Sequence, residues 1–93
     1  MEDTIKCLEK TKNAFGITSW TFEYYGIKTV MIEVGWIKHR KVFVVEVLMS
    51  MPDGMYSQIL EVSAELLKGY ESLALKIAAE KCLKSYENEI KGK

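Results

Sequence analysis

The chain has 93 residues, enough for one hydrophobic core and too few for two ordinary domains, so a single domain over residues 1–93 is expected. Hydrophobic residues make up 48% of the chain and charged residues 28%, a composition that excludes a chain disordered throughout. Thirteen basic residues balance thirteen acidic ones, so the basic excess typical of proteins dedicated to phosphate backbones is absent.

The first predicted element is an amphipathic helix over residues 2–15. Ile5, Leu8 and Phe15 fall near one stripe at helical spacing, while the charged residues between them point away. Gly16 follows directly and is a natural end for a helix.

The spacing of apolar residues then changes from about four to two. Three alternating runs, at 18–25, 28–37 and 42–50, predict the strands of an antiparallel meander. Gly26 marks the first turn, and the charged run 38–41 marks the second.

The segment after the third strand fits two structures. The Pro-Asp-Gly sequence at 52–54 is a strong turn signal. Residues 57–67 alternate as a fourth strand would, and the same residues also fit a helical stripe. We favour the strand because a Pro-Asp-Gly turn after an apolar strand usually folds back as a hairpin.

The last element is a helix over 71–90, with an apolar stripe that runs through Leu75, Ala79 and Cys82. The predicted fold class is therefore α+β. We expect an N-terminal helix, a three- or four-stranded antiparallel meander and a C-terminal helix.

Sorting the strand residues by parity predicts two different sheet faces. The apolar face, to be covered by the helices, comprises Trp20, Phe22, Tyr24, Val30, Ile32, Val34 and Trp36. The opposite face is expected to lean acidic and to meet water, and comprises Thr21, Glu23, Glu33, Glu61 and Glu65.

The third strand departs from this division because it is apolar on both sides. One side comprises Phe43, Val45, Val47 and Met49. The other comprises Val42, Val44 and Leu48, interrupted by Glu46. Such a strand needs cover on both sides, either from helices divided between the faces or from a second copy of the chain.

Four of the five methionines lie in or just after this region. Methionine is flexible and suits adaptable binding surfaces, although it also fills cores. The candidate partner interface comprises Met31, Phe43, Val45, Val47, Met49, Met51 and Met55. We therefore expect a small interaction or accessory protein that forms a homodimer or docks a partner protein.

Residues that carry catalytic chemistry are scarce. Cys7 and Cys82 are far apart, and His39 is the single histidine, so a zinc site would lack a fourth ligand and both thiols are expected to be reduced. Neither a phosphate-binding glycine loop nor a nucleophile elbow occurs. We assign no catalytic residue, metal or cofactor, and we expect that the protein is not an enzyme.

The expected location is the cytoplasm, without a membrane partner. The chain opens on Met-Glu-Asp-Thr, which is acidic and is followed by no apolar run of the secretory kind. No segment approaches the roughly 18 apolar residues that a membrane-spanning helix needs.

The run 38–41 is also the one concentrated basic feature of the sequence. At the tip of a hairpin it is a candidate for contact with nucleic acid, with a neighbouring aromatic ring for stacking. The candidate contacts are Trp36, Lys38, His39, Arg40 and Lys41. The same charges also keep a turn in water and oppose edge-to-edge pairing of sheets, so nucleic-acid binding is the second hypothesis.

Residues 73–83, Leu-Ala-Leu-Lys-Ile-Ala-Ala-Glu-Lys-Cys-Leu, resemble the last helix of the double-stranded-RNA-binding domain. The resemblance implies the order helix, three-stranded meander, helix, with His39 placed similarly to a histidine in one of the family's loops. Glu71, Ser72 and Leu75 stand where that family has phosphate-binding lysines. The resemblance thus implies a topology and not an RNA-binding surface.

Overall fold

The computed structural model describes residues 4–92, including every side chain except those of Cys7 and Leu8. Five antiparallel strands form one sheet in sequential order, and two helices follow it. The domain is therefore α+β. The elements are β1 (Ile5–Lys12), β2 (Thr18–Tyr24), β3 (Ile27–Ile37), β4 (Val42–Met51), β5 (Gly54–Ser63), α1 (Ala64–Gly69) and α2 (Glu71–Lys91).

The prediction of an N-terminal helix over 2–15 is wrong. Residues 2 and 3 lie outside the described chain, and the rest of the segment forms β1, paired with β2, and the turn that joins them. A β-bulge shifts the register between Cys7 and Glu9 and so interrupts the alternation that identifies a strand. Because the extra residue leaves apolar side chains three apart, β1 resembles one turn of a helix. Phe15, expected on the buried stripe, lies at the tip of the β1–β2 turn and is 88% exposed.

The three runs predicted as a meander are strands in the structure, as β2, β3 and β4. Each of the two readings of 57–67 holds for part of the segment, because β5 ends at Ser63 and α1 begins at Ala64. The Ser63 hydroxyl oxygen accepts a hydrogen bond from the Leu66 amide at 3.3 Å and so caps α1. The sheet has five strands rather than the three or four expected.

The turn between β2 and β3 determines which residues share a face. Tyr25 and Gly26 form a two-residue loop, both with positive φ (50° and 78°), so Tyr24 lies opposite Ile27. Odd-numbered residues of β3, such as Met31, therefore join the side of β2 that carries Phe22. The predicted placement of Val30, Ile32 and Val34 on that side is wrong. The prediction put even-numbered residues of both strands on one side, whereas a two-residue loop pairs even-numbered residues of β2 with odd-numbered residues of β3.

Both helices pack on one side of the sheet, which we call the helix face, and α2 carries most of the core contact. Leu75 and Cys82 of α2 are almost fully buried, and Leu67 adds the apolar side of α1. The buried sheet residues beneath them are Trp20, Phe22, Tyr24, Met31, Val45, Val47, Met49 and Val62. With no helix before the sheet, the described chain does not have the order helix, meander, helix.

The C-terminal half of α2 is fixed to the β4–β5 turn. The Tyr86 hydroxyl donates a hydrogen bond to the Asp53 carboxylate at 2.7 Å, and the Tyr86 ring meets Tyr56 edge to face at 5.3 Å. The hydrogen bond to Asp53 raises the pKa of Tyr86. Among the helices of residues 4–92, none combines the length and the apolar content needed to cross a membrane.

Candidate functional site

The predicted methionine-rich partner surface is largely the core of the domain. Met31, Val45, Val47 and Met49 are 0% exposed, because α2 covers this side of β3 and β4. Their assignment to an accessible interface is therefore wrong. Phe43 and Met51 are half-buried and pack against the same core, while Met55 stands 61% exposed.

The other side of the sheet, which we call the open face, has no helix over it within residues 4–92. Strand register places a group of aliphatic side chains on three adjacent strands of this face. We call this group the apolar patch; it comprises Val30, Ile32, Val44, Leu48 and Ile59. Four of them are half-buried, and Ile59 is 60% exposed. The face predicted to be acidic is thus apolar at its centre, since Glu33 lies on the helix face opposite Val45 and Glu65 lies in α1.

Glu46 occupies the middle of the apolar patch. It lies directly opposite Ile32 on one side and Ile59 on the other, with Val44 and Leu48 two residues away along β4. Glu46 as a residue is half-buried, and its carboxylate makes no hydrogen bond or ion pair within the described chain. A carboxylate in apolar surroundings needs a cation if the patch is to be covered, because removing an unpaired charge from water is costly.

A lysine without an ion pair in the described chain lies close by on the same face. Lys28 lies opposite Glu23, two residues before Val30 on β3. The cross-strand pair Val30–Leu48 lies between Lys28 and the pair Ile32–Glu46. The open face therefore carries a carboxylate on one side of this aliphatic pair and an ammonium group on the other.

The two edges of the sheet differ in how they are protected against pairing. Edge strand β1 carries three lysines and a bulge, both of which oppose the addition of another strand. Edge strand β5 carries one charged residue, Glu61, and no bulge in its pairing with β4. This strand is the more open edge, and Ile59 belongs both to it and to the apolar patch.

The basic turn and α1 form a cleft of about 720 Å³ at one end of the helix face. Four of the five predicted nucleic-acid contacts line it, namely Trp36, Lys38, Arg40 and Lys41. His39 is exposed and does not line the cleft. Lys68, which α1 contributes, is a lining residue that the sequence pattern did not predict, because the pattern does not separate the end of β5 from a short helix that returns toward the turn.

A smaller neighbouring cleft of about 330 Å³ is held by its own ion pair. The Lys10 ammonium lies 2.7 Å from the Glu71 carboxylate and 5.7 Å from the centre of the Trp20 ring. The hydrogen bond from Lys10 lowers the pKa of Glu71, and partial burial of the carboxylate opposes this effect. The Lys10–Glu71 ion pair links β1 to the start of α2, and each of these two charges has the other as its partner.

Cys82 is expected to be inert toward thiol reagents in the folded protein. Burial raises the pKa of its thiol to about 11, so the thiolate fraction at pH 8 is about one in a thousand. In a Cys7→Ser variant, labelling with a chromogenic disulfide at pH 8 should be at least about 100-fold slower than in the same variant unfolded in guanidinium. Labelling of the native protein at the rate of the unfolded chain would contradict the placement of Cys82 in the core.

Among the side chains that the structure describes, no three histidine, cysteine or acidic groups converge as a metal site would require. The candidate functional sites within the described residues are therefore the open face and the cleft lined by the basic residues of the β3–β4 turn. Comparison of the chain with protein-family models, with curated proteins and with solved structures found no match.

Proposed function

We propose that the protein is a non-enzymatic interaction domain that acts as a homodimer, with the open face of one copy packed on the open face of another. The observation that supports this is the apolar patch on β3, β4 and β5, which no element of residues 4–92 covers. Aliphatic side chains on a contiguous sheet face gain free energy when a second surface removes them from water.

The size of the open face is adequate for a stable dimer. Five strands about 4.8 Å apart, each with about nine residues rising about 3.3 Å, give a face of roughly 24 by 30 Å. This area of about 700 Å² is close to the roughly 800 Å² per partner of a standard interface. Sheets packed face to face in this way form the two layers of a β-sandwich.

The charges on the open face suit a particular two-fold arrangement. One such arrangement has its two-fold axis across the strands, along the pair Val30–Leu48. Rotation about this axis places β4 over β4 of the second copy, with the two strands antiparallel. Glu46 of each copy then comes over the part of the other sheet where Lys28 lies. Two symmetric Glu46–Lys28 pairs would supply the cation that each carboxylate lacks, while the aliphatic pair packs on its own copy at the centre.

A charge exchange tests this arrangement. Glu46→Lys and Lys28→Glu should each raise the dimer dissociation constant at least about 10-fold, because each places like charges together twice in a symmetric interface. The double variant should return to within about 3-fold of the unmodified protein, since the pairs re-form with signs reversed. Sedimentation equilibrium at low salt measures all four constants.

The matched control is the same pair of charge changes on the exposed side of α2, Glu80→Lys and Lys84→Glu, which should leave the constant unchanged. Single changes without effect, or a double variant weaker than either single one, would reject the proposed packing. If the dimer persists unchanged in all of these variants, the interface is expected at edge strand β5 instead.

A further inference from the structure

The cleft beside the β3–β4 turn has the composition of a binding site, and its walls are fixed by backbone contacts. The turn follows the end of β3 at Ile37 and closes at Lys41, whose φ of 52° lies in the left-handed region. The Lys41 carbonyl accepts a hydrogen bond from the Ala64 amide at 3.0 Å. This bond ties the turn to the start of α1, and α1 carries Lys68 to the same cleft.

The cleft concentrates positive charge in a chain whose formal net charge is zero. Lys38, Lys41 and Lys68 line it and form no ion pair within the described chain. The Arg40 guanidinium is paired with Glu61, and Glu65 is the one acidic residue in the lining. Three ammonium groups around one space repel one another, so an anion bound there would relieve the repulsion.

The cleft also contains an aromatic platform. The Trp36 indole packs against the Phe43 ring at 4.7 Å between centroids, which holds it in place, and it remains 48% exposed. A half-exposed indole beside cations is suited to a ligand that has both a flat ring and negative charge, because the ring can stack on the indole while the cations hold the charge. A volume of about 720 Å³ lies within the usual range for small-molecule sites.

We propose that this cleft binds a nucleotide unit, with the base stacked on Trp36 and the phosphate held by Lys38, Lys41 and Lys68. A free nucleotide and one residue of a single strand offer the same base-and-phosphate chemistry, so the test must distinguish them. The site lies on the side of the sheet that carries the helices, so it stays accessible when the open face is covered. It therefore stands independently of the proposed homodimer.

The probes are adenosine 5′-monophosphate, inorganic phosphate and a 12-nucleotide oligothymidylate strand, with binding followed by calorimetry and by quenching of tryptophan fluorescence. The informative variants are Trp36→Leu, which removes the platform, and Lys41→Gly, which removes a cation. Glycine accepts the positive φ at position 41 without strain, so Lys41→Gly should leave the fold intact. Lys84→Glu, at a position that lines none of the clefts described, is the control.

We expect saturable binding of the mononucleotide or of the strand that weakens at least about 5-fold in both informative variants and not in Lys84→Glu. Strand binding should fall with salt at a log–log slope of about −0.7, the value for one neutralised phosphate on a single strand. Saturation by the mononucleotide identifies a small-ligand site, whereas binding of the strand alone identifies single-stranded nucleic acid. Absence of binding at low salt, or binding that is insensitive to Trp36→Leu, overturns the proposal. Loss of the dimer in Leu48→Glu should leave this binding unchanged, which separates the two proposals.

Discussion

Phe22→Ala is expected to lower the free energy of unfolding by about 3–5 kcal/mol, the cost of removing a large side chain from a packed core. Phe22 is 0% exposed on β2 and lies beneath α2. A domain of this length has a total stability of about 5–14 kcal/mol, so the change removes a large part of it. Urea unfolding at constant protein concentration, followed by far-UV circular dichroism, measures the difference.

The matched control is Phe15→Ala, which removes the same atoms from the tip of the β1–β2 turn. Phe15 is 88% exposed, so its substitution should change the stability by no more than about 0.5 kcal/mol. This pair also distinguishes the fold from the helix that the sequence predicted over 2–15, in which Phe15 belongs to the buried stripe. Equal losses for the two variants would contradict the placement of β1 and its turn.

Leu48→Glu is expected to raise the dimer dissociation constant at least about 100-fold, equivalent to about 2.7 kcal/mol. Leu48 lies beside Val30 and next to Glu46 on the open face, so a second carboxylate there would be removed from water at two symmetric positions. The substitution touches no residue of the helix face, so the monomer should keep its far-UV spectrum. Sedimentation velocity over a dilution series measures the constant.

Leu73→Glu is the control for that experiment, because Leu73 is 46% exposed on α2 and lies away from the sheet. It introduces the same charge at a leucine of the helix layer and should leave association unchanged. A dimer that survives Leu48→Glu but is lost in Leu73→Glu would place the interface on the helices and reject the open face.

The sequence indicates the strands wherever alternation is uninterrupted. Phe22 and Tyr24 in β2, and Val45 and Val47 in β4, repeat at spacing two, and α2 repeats at helical spacing over five turns. These elements could be predicted because each buries one regular side of itself against the core. The two-sided apolar character of β4 also indicated that both of its sides need cover, either from helices divided between the faces or from a second copy of the chain.

The errors in the predicted sheet arise from single-residue offsets. The bulge after Cys7 concealed β1, and the two-residue loop at Tyr25 exchanged the faces of β3, which placed Met31 in the core and Val30 outside. A second bulge between Glu33 and Gly35 returned Trp36 to the helix face, opposite Phe43. Because strand side chains alternate, each one-residue shift reverses every assignment beyond it.

The candidate site was predictable only in part, because some of its residues are neighbours in sequence and others meet only in the folded chain. The cluster of Lys38, Arg40 and Lys41 near Trp36 is contiguous in sequence and could be recognised directly. Lys68 joins it only because α1 turns back after β5, and the apolar patch exists only in the register of three strands. Contacts between residues far apart in the chain require the register of the whole sheet, and local patterns do not supply it.

The mass of the unmodified protein in solution tests the homodimer directly, measured by sedimentation equilibrium from about 5 μM to about 500 μM, the range in which interfaces of modest size associate. If the open face binds a second copy, the mass should rise to twice the chain mass of 10.7 kDa. A mass that stays at 10.7 kDa at every concentration would show that the open face does not bind a second copy.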